Sequence, residues 1–484
     1  MATLSSPGIG SGLDVRSLVA QLMAVERAPL AALQASTKRT QDQLSAYGKL
    51  QSAMTTLRDA AKRLGTADTW TATTVANPNV AALTVTADGS APPGSYAVNV
   101  TRLAAAQTVS SSHTWVGSDE AVGSGSLTIE LGAWTSGQTA FTPKAGATAV
   151  TIRLDSGGDS LAQVRDAINQ AGAGVLASIV NDASGARLAI RSSVTGDEGG
   201  FRISVNDDDG DNADAAGLSQ LAFDPSDAGG PIARMTQTLA AANALATING
   251  VPVSSASNSL NNVLDGLSLK LAQVTTTPVD LTVDRDSAAV RKNITDFASA
   301  YNDLIKLVRE QTRTTEGTVA GGVLQGDSSA KGLASQLRTL AGTSSAAAVD
   351  FTRLADIGLE QQRDGTLKVS DTKLDRALAN PEALQDFFAR DDAGTATDGF
   401  AALFKSFGDT RLDDDGIFDT RSKALKDRIE RDADRGSRLE ARLALTEKRL
   451  NEQYSRLDTS LSQMTSLQNY VTQQIASWNR SSSR

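Results

Sequence analysis

The run Asp207-Asp208-Asp209-Gly210-Asp211-Asn212-Ala213-Asp214 gathers five carboxylates in eight residues, and clustered carboxylates are the ligands calcium takes. The spacing departs from an EF-hand loop. With Asp207 in the first position, Asn212 stands where the turn glycine belongs and Leu218 where the bidentate glutamate belongs. The run therefore reads as a solvated loop, and Asp413-Asp414-Asp415-Gly416 as a helix-breaking turn. Gly8, Gly10 and Gly12 resemble a phosphate-cradling loop, yet no strand precedes them and no lysine follows. Trp115 and Trp134 lie among Gly and Ser and could line a sugar-binding face, although core packing is the favoured reading. Carboxylate pairs for glycosidic hydrolysis are not singled out by any spacing. No catalytic, cofactor-binding or metal residue is assigned, and no cofactor is expected.

Composition narrows the classes further. The chain has 484 residues, a formal net charge of −9, no cysteine and His113 as its only histidine. Disulfides, thiolate metal sites, histidine-based triads and His-rich metal centres are thereby excluded. An acidic chain is a poor match for nucleic-acid phosphates, so no nucleic-acid partner is expected. No segment approaches the roughly 20 consecutive apolar residues of a membrane helix. Met1 to Gly12 lacks the charged and apolar regions of a cleavable signal peptide. The expectation is cytoplasmic residence or export without such a signal.

The dominant pattern is apolar periodicity at the two ends. Leu443, Leu450, Leu457, Met464, Val471 and Trp478 recur at seven-residue intervals, with Leu439, Tyr454, Leu461 and Ile475 filling the alternate rows. Such a repeat draws one apolar seam along a left-handed supercoiling helix. From about Asp419 to Trp478 the helix would be about 90 Å long, so its seam needs partners from this chain or another. At the other end Asp14 is placed to cap a helix bearing Val15, Leu18, Leu22 and Val25, which Ala28-Pro29 ends or kinks. A second stretch carries Leu30, Leu33, Leu44, Tyr47, Met54, Leu57 and Leu64. The inner portions of the two ends can pair as an antiparallel leg. Farther out, Thr446, Gln453, Ser460, Gln468 and Gln474 dilute the seam, so two helices would bury little there, and the tips are expected to order only when several subunits bundle. The seam assigned to oligomer and partner contacts is Leu18, Leu22, Val25, Leu443, Leu450, Leu457, Leu461, Met464, Val471, Ile475 and Trp478.

Between the ends the period changes. Val80 to Val283 reads as short alternating strands: Leu83 with Val85, Tyr96 to Val100, Leu127 to Leu131, Val150 to Leu154, Val175 to Val180, Leu188 to Ile190, Phe201 to Val205, Leu267 to Leu271 and Val279 to Val283. One helix interrupts them, opened by a capping box of Ser160 and Gln163, and Asn249-Gly250 predicts a type I′ hairpin. From Arg285 a helical stripe resumes through Val290, Ile294, Phe297, Tyr301, Leu304 and Val308. Shorter helices follow around Leu333 to Leu340, Leu374 to Leu378, and Leu384 to Phe387. The predicted class is a multidomain α+β protein in which terminal coiled-coil helices and a helical leg carry inserted β-rich head domains.

The same residues carry a family resemblance. Pro7-Gly8-Ile9-Gly10-Ser11-Gly12-Leu13-Asp14, Leu18-Val19-Ala20-Gln21-Leu22-Met23 and Glu26-Arg27-Ala28-Pro29-Leu30 resemble the N-terminal signature of the bacterial flagellar filament-capping, or flagellar hook-associated protein 2, family. Ser160-Leu161-Ala162-Gln163-Val164-Arg165-Asp166-Ala167-Ile168-Asn169, with Ala177-Ser178-Ile179-Val180-Asn181-Asp182, resembles the insertion motif shared by flagellar hook and filament proteins. Asn249-Gly250, Ser257-Asn258 and Asp364-Gly365-Thr366-Leu367-Lys368-Val369 resemble the C-terminal region. The resemblance implies four nested parts: a terminal domain of 1–40 with 434–484, disordered when unassembled; a helical leg of 41–79 with 286–433; and two β-rich heads, 80–124 with 236–285, and 125–235. It implies a non-enzymatic cap of a few subunits at the flagellar tip, exported unfolded through the flagellar type III apparatus without a cleaved signal. The implied partners are itself, flagellin, hook-filament junction proteins, the export apparatus and an export chaperone. The competing readings are a coiled-coil adhesin binding a host surface or mucin through its head, a carboxylate hydrolase, and a junction protein or minor flagellin.

Overall fold

The computed structural model describes residues 14–226, 235–318, 320–392 and 397–481. The glycine-rich start, including Gly8, Gly10 and Gly12, lies outside the described residues. The chain divides into a helical unit of Met1–Thr69 with Ser287–Arg484 and a β-rich unit of Trp70–Asp286.

In chain order the elements are α1 (Val15–Glu26), α2 (Ala28–Leu64), α3 (Ala67–Thr71), β1 (Thr73–Ala76), β2 (Leu83–Ala87), β3 (Gly94–Arg102), β4 (Thr108–Ser111), β5 (Ala121–Trp134), β6 (Phe141–Pro143) and β7 (Val150–Ser160). Then come α4 (Leu161–Gln170), β8 (Val175–Asp182), β9 (Gly185–Ser192), β10 (Gly200–Asp207), β11 (Met235–Leu239), β12 (Ala244–Ile248), β13 (Val251–Ser255), β14 (Ser259–Leu264), β15 (Leu267–Leu271) and β16 (Val279–Arg285). The chain closes with α5 (Ser287–Thr312), α6 (Ser328–Ala341), β17 (Leu359–Gln361), β18 (Leu367–Val369), α7 (Asp371–Leu378), α8 (Pro381–Ala389), α9 (Phe400–Leu412) and α10 (Ile417–Ser481).

Two large cores organise the described residues of the β-rich unit. One joins the antiparallel sheet β1-β16-β3-β12-β13 to β14-β15-β2 around Val98, Val100, Leu269 and Leu281. Its β12–β13 hairpin turns at Asn249 and Gly250, both with positive φ (50° and 82°), as a type I′ turn requires. The other places α4 with the sheets β10-β5-β6, where β7 also pairs β5, and β11-β4-β9-β8. The capping box forms as its sequence predicts: Ser160 Oγ accepts from Gln163 N, and Gln163 Oε1 accepts from Ser160 N.

These cores move the expected boundaries. Val109, Trp115 and Val122 belong to the second core, so the chain crosses between heads near the Ala105–Ala242 bridge and not at 124/125 and 235/236. The strand β1 pairs with β16 across the whole register Thr73–Ala76, which assigns 73–79 to the first head and not to the leg. Nor does any helix end at 40/41 or 433/434, since α2 and α10 run through both positions.

In the helical unit, α5 buries the predicted stripe from Val290 to Val308, and α2 packs on α5 and α9. Helix α9, in which Phe400 and Phe404 sit four apart, is an element the sequence expectation lacks. It supplies the aromatic centre, with Phe404 edge-on to Phe297 at 5.0 Å and Phe400 stacked on Phe387 at 4.8 Å. Gly408 allows the close approach, since a Cβ there would lie 2.8 Å from the Cβ of Arg58. Asp327 ties three helices: it caps α6 through the N–H groups of Ser329 and Ala330, accepts from the Tyr47 hydroxyl of α2 at 2.9 Å, and lies 3.9 Å from Arg421 of α10.

Burial pushes the Tyr301 hydroxyl up to about 12, and burial, followed by the hydrogen bond to Asp327, pushes Tyr47 up further. Both tyrosines stay protonated in the fold while an unfolded tyrosine ionises near pH 10. Their contribution is thus complete below about pH 10 and is lost as pH rises through the folded values. Denaturant titrations across pH 9 to 12 should show this alkaline loss, and Tyr301→Phe should reduce it while the share of Tyr47 remains. Because the Tyr301 hydroxyl has no hydrogen-bond partner among the described residues, that variant should be as stable as the parent at pH 7.

The free edge of β8 is interrupted from α4. Asn169 donates to the Ala177 carbonyl at 2.9 Å and accepts from its N–H at 2.8 Å, satisfying the outward backbone groups that would otherwise pair with another chain. Asn169→Ala should lose about 1–3 kcal/mol in denaturant unfolding and associate at high concentration. An unchanged midpoint together with a monomeric profile would contradict this role.

Candidate assembly interface

The carboxylate run does not form a metal site. Asp207 is buried, contrary to the solvated-loop expectation, and its Oδ2 accepts from the N–H groups of Leu218 and Ser219 at 2.6 and 3.1 Å. Asp209, Asp211 and Asp214 each accept from a backbone N–H two residues on, and Asp208 pairs with Arg153. Four of the carboxylates thus hold nearby backbone N–H groups and the fifth, Asp208, an arginine. Trp115 is buried edge-on to His113, and the Trp134 indole donates to the Phe201 carbonyl, so both tryptophans are core groups. A cleft of about 710 Å³ between the two heads is lined by Lys144, Asp197, Glu198 and Asn243. Its Asp197 and Asn243 bond each other reciprocally through backbone N–H and side-chain oxygen at 2.9 Å, which joins the two heads.

The terminal helices offer a different kind of site. Asp14 caps α1 through the Ser17 N–H, as expected, and the chain breaks at Arg27 before α2, where Pro29 favours a helix start. The N-terminal arm runs antiparallel to α10. Arg27 pairs with Glu447 at 3.2 Å, Leu33 lies 3.8 Å from the Cβ position of Gly436, and Arg428 donates to Ser36 Oγ at 3.4 Å. Val15, Val19 and Met23 are buried against Leu443, Leu450 and Tyr454. Of the expected N-terminal seam residues, Leu18 is half-buried and Leu22 exposed, and Val25 is 73 % exposed; the face turned to α10 is a different row, one step round the helix. The spacing of Val15, Val19 and Met23 by fours was the signal for it.

Helix α10 has 65 residues and is about 97 Å long. Among the described residues, its apolar contacts with α1 lie at Leu443, Leu450 and Tyr454. Leu450 and Tyr454, both on the covered face, fix the phase of the seam, which continues at alternating three- and four-residue steps through Leu457, Leu461, Met464, Gln468, Val471, Ile475 and Trp478. In that phase Gln453, Ser460 and Gln474 flank the seam, and only Gln468 lies in it. Leu461 is half-buried, whereas Leu457, Met464, Val471, Ile475 and Trp478 are 47, 69, 46, 53 and 76 % exposed. A stripe of this length exceeds the scattered exposed apolar side chains that need no explanation.

Two joined β-rich heads and a long apolar seam that α1 covers in part are the features of a structural assembly protein of the α+β class. Residues 11–107, 137–194 and 241–466 match, respectively, the flagellar hook-associated protein 2 N-terminus, the flagellin hook IN motif and the flagellar hook-associated protein 2 C-terminus. The chain is 33% identical to the B-type flagellar hook-associated protein 2 of Pseudomonas aeruginosa, covering 98% of this chain and 97% of that one. It is 31% identical to the Escherichia coli K12 flagellar hook-associated protein 2, covering 98% of each. The crystal structure of the D1-D2-D3 domains of the Escherichia coli flagellar cap protein FliD superposes with a TM-score of 0.59 at 30% identity, over 79% of this chain and 99% of that one. The chain belongs to the flagellar hook-associated protein 2 family, a family of structural cap proteins and not of enzymes.

The α1–α10 contact is apolar in origin. The Arg27–Glu447 pair is 59 and 44 % exposed, and such pairs contribute about 0–1 kcal/mol. Removing a buried methionine costs about 2–5 kcal/mol. Met23→Ala should therefore raise amide exchange across residues 15–26, whereas Arg27→Ala should leave it nearly unchanged.

Proposed function

We propose that this chain forms the cap at the distal tip of the bacterial flagellar filament, where a few copies hold exported flagellin while each subunit inserts and folds beneath them. The observation that carries the mechanism is the α10 seam, which α1 covers at Leu443, Leu450 and Tyr454 and whose distal Leu457, Met464, Val471 and Ile475 are 47, 69, 46 and 53 % exposed. Its distal part must engage other helices to leave water, and the apolar area exposed on one helix is too small for a permanent two-helix contact. Each engagement is thus reversible, and several copies acting together keep the cap attached through multivalency. In this reading the seam comprises Leu22 and Val25 together with Leu457, Leu461, Met464, Val471, Ile475 and Trp478, and the terminal helices gain order on assembly. The β-rich heads, joined by the Asp197–Asn243 pair, act as the plate.

The partners in this reading are further copies of the chain, flagellin and hook-filament junction proteins. Export proceeds unfolded through the flagellar type III apparatus, with a chaperone covering the apolar seam beforehand, and no cleaved signal is used. No helix among the described residues is long and apolar enough to cross a membrane. The relatives and the matched families favour the cap over an adhesin acting through the head. Deleting the gene in its host should abolish filaments and release unpolymerised flagellin into the medium, and re-expression should reverse both. Filaments of normal length in the deletion strain would refute the proposal.

A further inference from the structure

We infer that Gln468 sets the register and copy number of a parallel bundle formed by the distal α10 seams of several copies of this chain. The inference rests on the assembly reading above and identifies the residue that makes the contact specific. The seam is continuous with an interface already built, since the row that covers Val15, Val19 and Met23 runs on through Leu457 without a change of phase. Of the nine seam positions from Leu450 to Trp478, eight are apolar and Gln468 is the single amide.

Coiled coils ordinarily choose partner, orientation and register through charges on the flanks of the seam. Here that means is confined to Asp458 beside Leu457: the 20 residues Thr459 to Trp478 contain no Asp, Glu, Lys or Arg, and their flanks hold Ser460, Thr465, Leu467, Thr472 and Gln474. Uncharged flanks also suit a bundle of more than two helices, in which they become partly covered. Without a polar layer, copies displaced by one heptad would still set apolar against apolar. Gln468 removes that degeneracy because its amide both donates and accepts. In parallel copies in register the amides meet in one layer and satisfy each other. A one-heptad slip would instead place each amide against Leu461 or Ile475, and an antiparallel arrangement against the other row of the seam. Each alternative buries an unpaired amide, which is penalised, as with a single polar core residue that fixes oligomer state at some loss of stability.

The absence of cysteine from the chain permits a clean reporter. Met464→Cys and Val471→Cys copies of the full-length protein, mixed and oxidised after assembly, give 464–464 and 471–471 disulfides in register and a 464–471 disulfide after a one-heptad slip. With Gln468 present the same-position products should dominate, and sedimentation should give one oligomer size. In a Gln468→Leu background the 464–471 product should rise several-fold, more than one size should appear, and thermal dissociation should move to higher temperature. A single size with same-position disulfides only, in both backgrounds, would overturn the role of Gln468 while leaving the seam intact. If Leu457→Lys with Leu461→Lys leaves self-association and disulfide yield unchanged, the distal seam does not join copies at all, and both readings of it fail.

Discussion

Burial of Val15, Val19 and Met23 against Leu443, Leu450 and Tyr454 is the contact on which the terminal architecture depends. It brings α1 against α10, far apart in the chain. Helix α10 does not stop there. Its backbone has no reason to break, because no proline occurs from Ile417 to Ser481 and the one glycine, Gly436, lies beside Leu33 where the helices approach closely. Beyond Tyr454, the side chains of Leu457, Met464, Val471 and Ile475 are exposed.

The remainder of the helical unit resists deformation at the opposite end of this contact. Phe297, Phe404, Phe387 and Phe400 form an aromatic centre, and Asp327 joins α2, α6 and α10 through a cap, a tyrosine hydroxyl and an arginine. In the β-rich unit buried polar groups serve the same purpose. Gln107 pairs with both backbone groups of Phe201, and Asp207 anchors the turn at Leu218 and Ser219. Such groups stabilise one arrangement because any other would leave them unpaired. The charges are also segregated. Residues 70–286 hold 10 Lys and Arg against 21 Asp and Glu, a net of −11, while the helical unit holds 36 against 34, a net of +2. Close packing of terminal helices from several copies is therefore not opposed by a large net charge of their own unit.

Much of this was legible in the residues. The seven-residue spacing gave the long helix, the Ser160–Gln163 pattern gave the start of α4, and Asn249-Gly250 gave its hairpin, because each depends on neighbours a few positions away. The head boundaries were not legible. Val109 and Trp115 look no different in sequence from strand residues of the first head, and only pairing of β4 with β9 and β11 assigns them to the second. The burial of Asp207 escaped for the same reason, since its partners lie 11 and 12 residues away. Helix α9 is not legible in the residues, because its few aromatics follow a stretch with Gly394 and Gly399 that reads as loop.

The terminal seam shows where that division falls. Sequence alone determined that α10 carries an apolar row with one amide in it and no charge from Thr459 to Trp478, since composition and period are properties of a single strand of chain. Tertiary structure decided which part of that row is covered, that Val19 and Met23 and not Leu22 and Val25 turn toward it, and that the phase runs through Tyr454 and leaves Gln453 and Ser460 on the flank. Those are facts about where a second helix ends and which side it presents. A helix's own period cannot encode them, because every face of a regular helix is equally available until packing selects one.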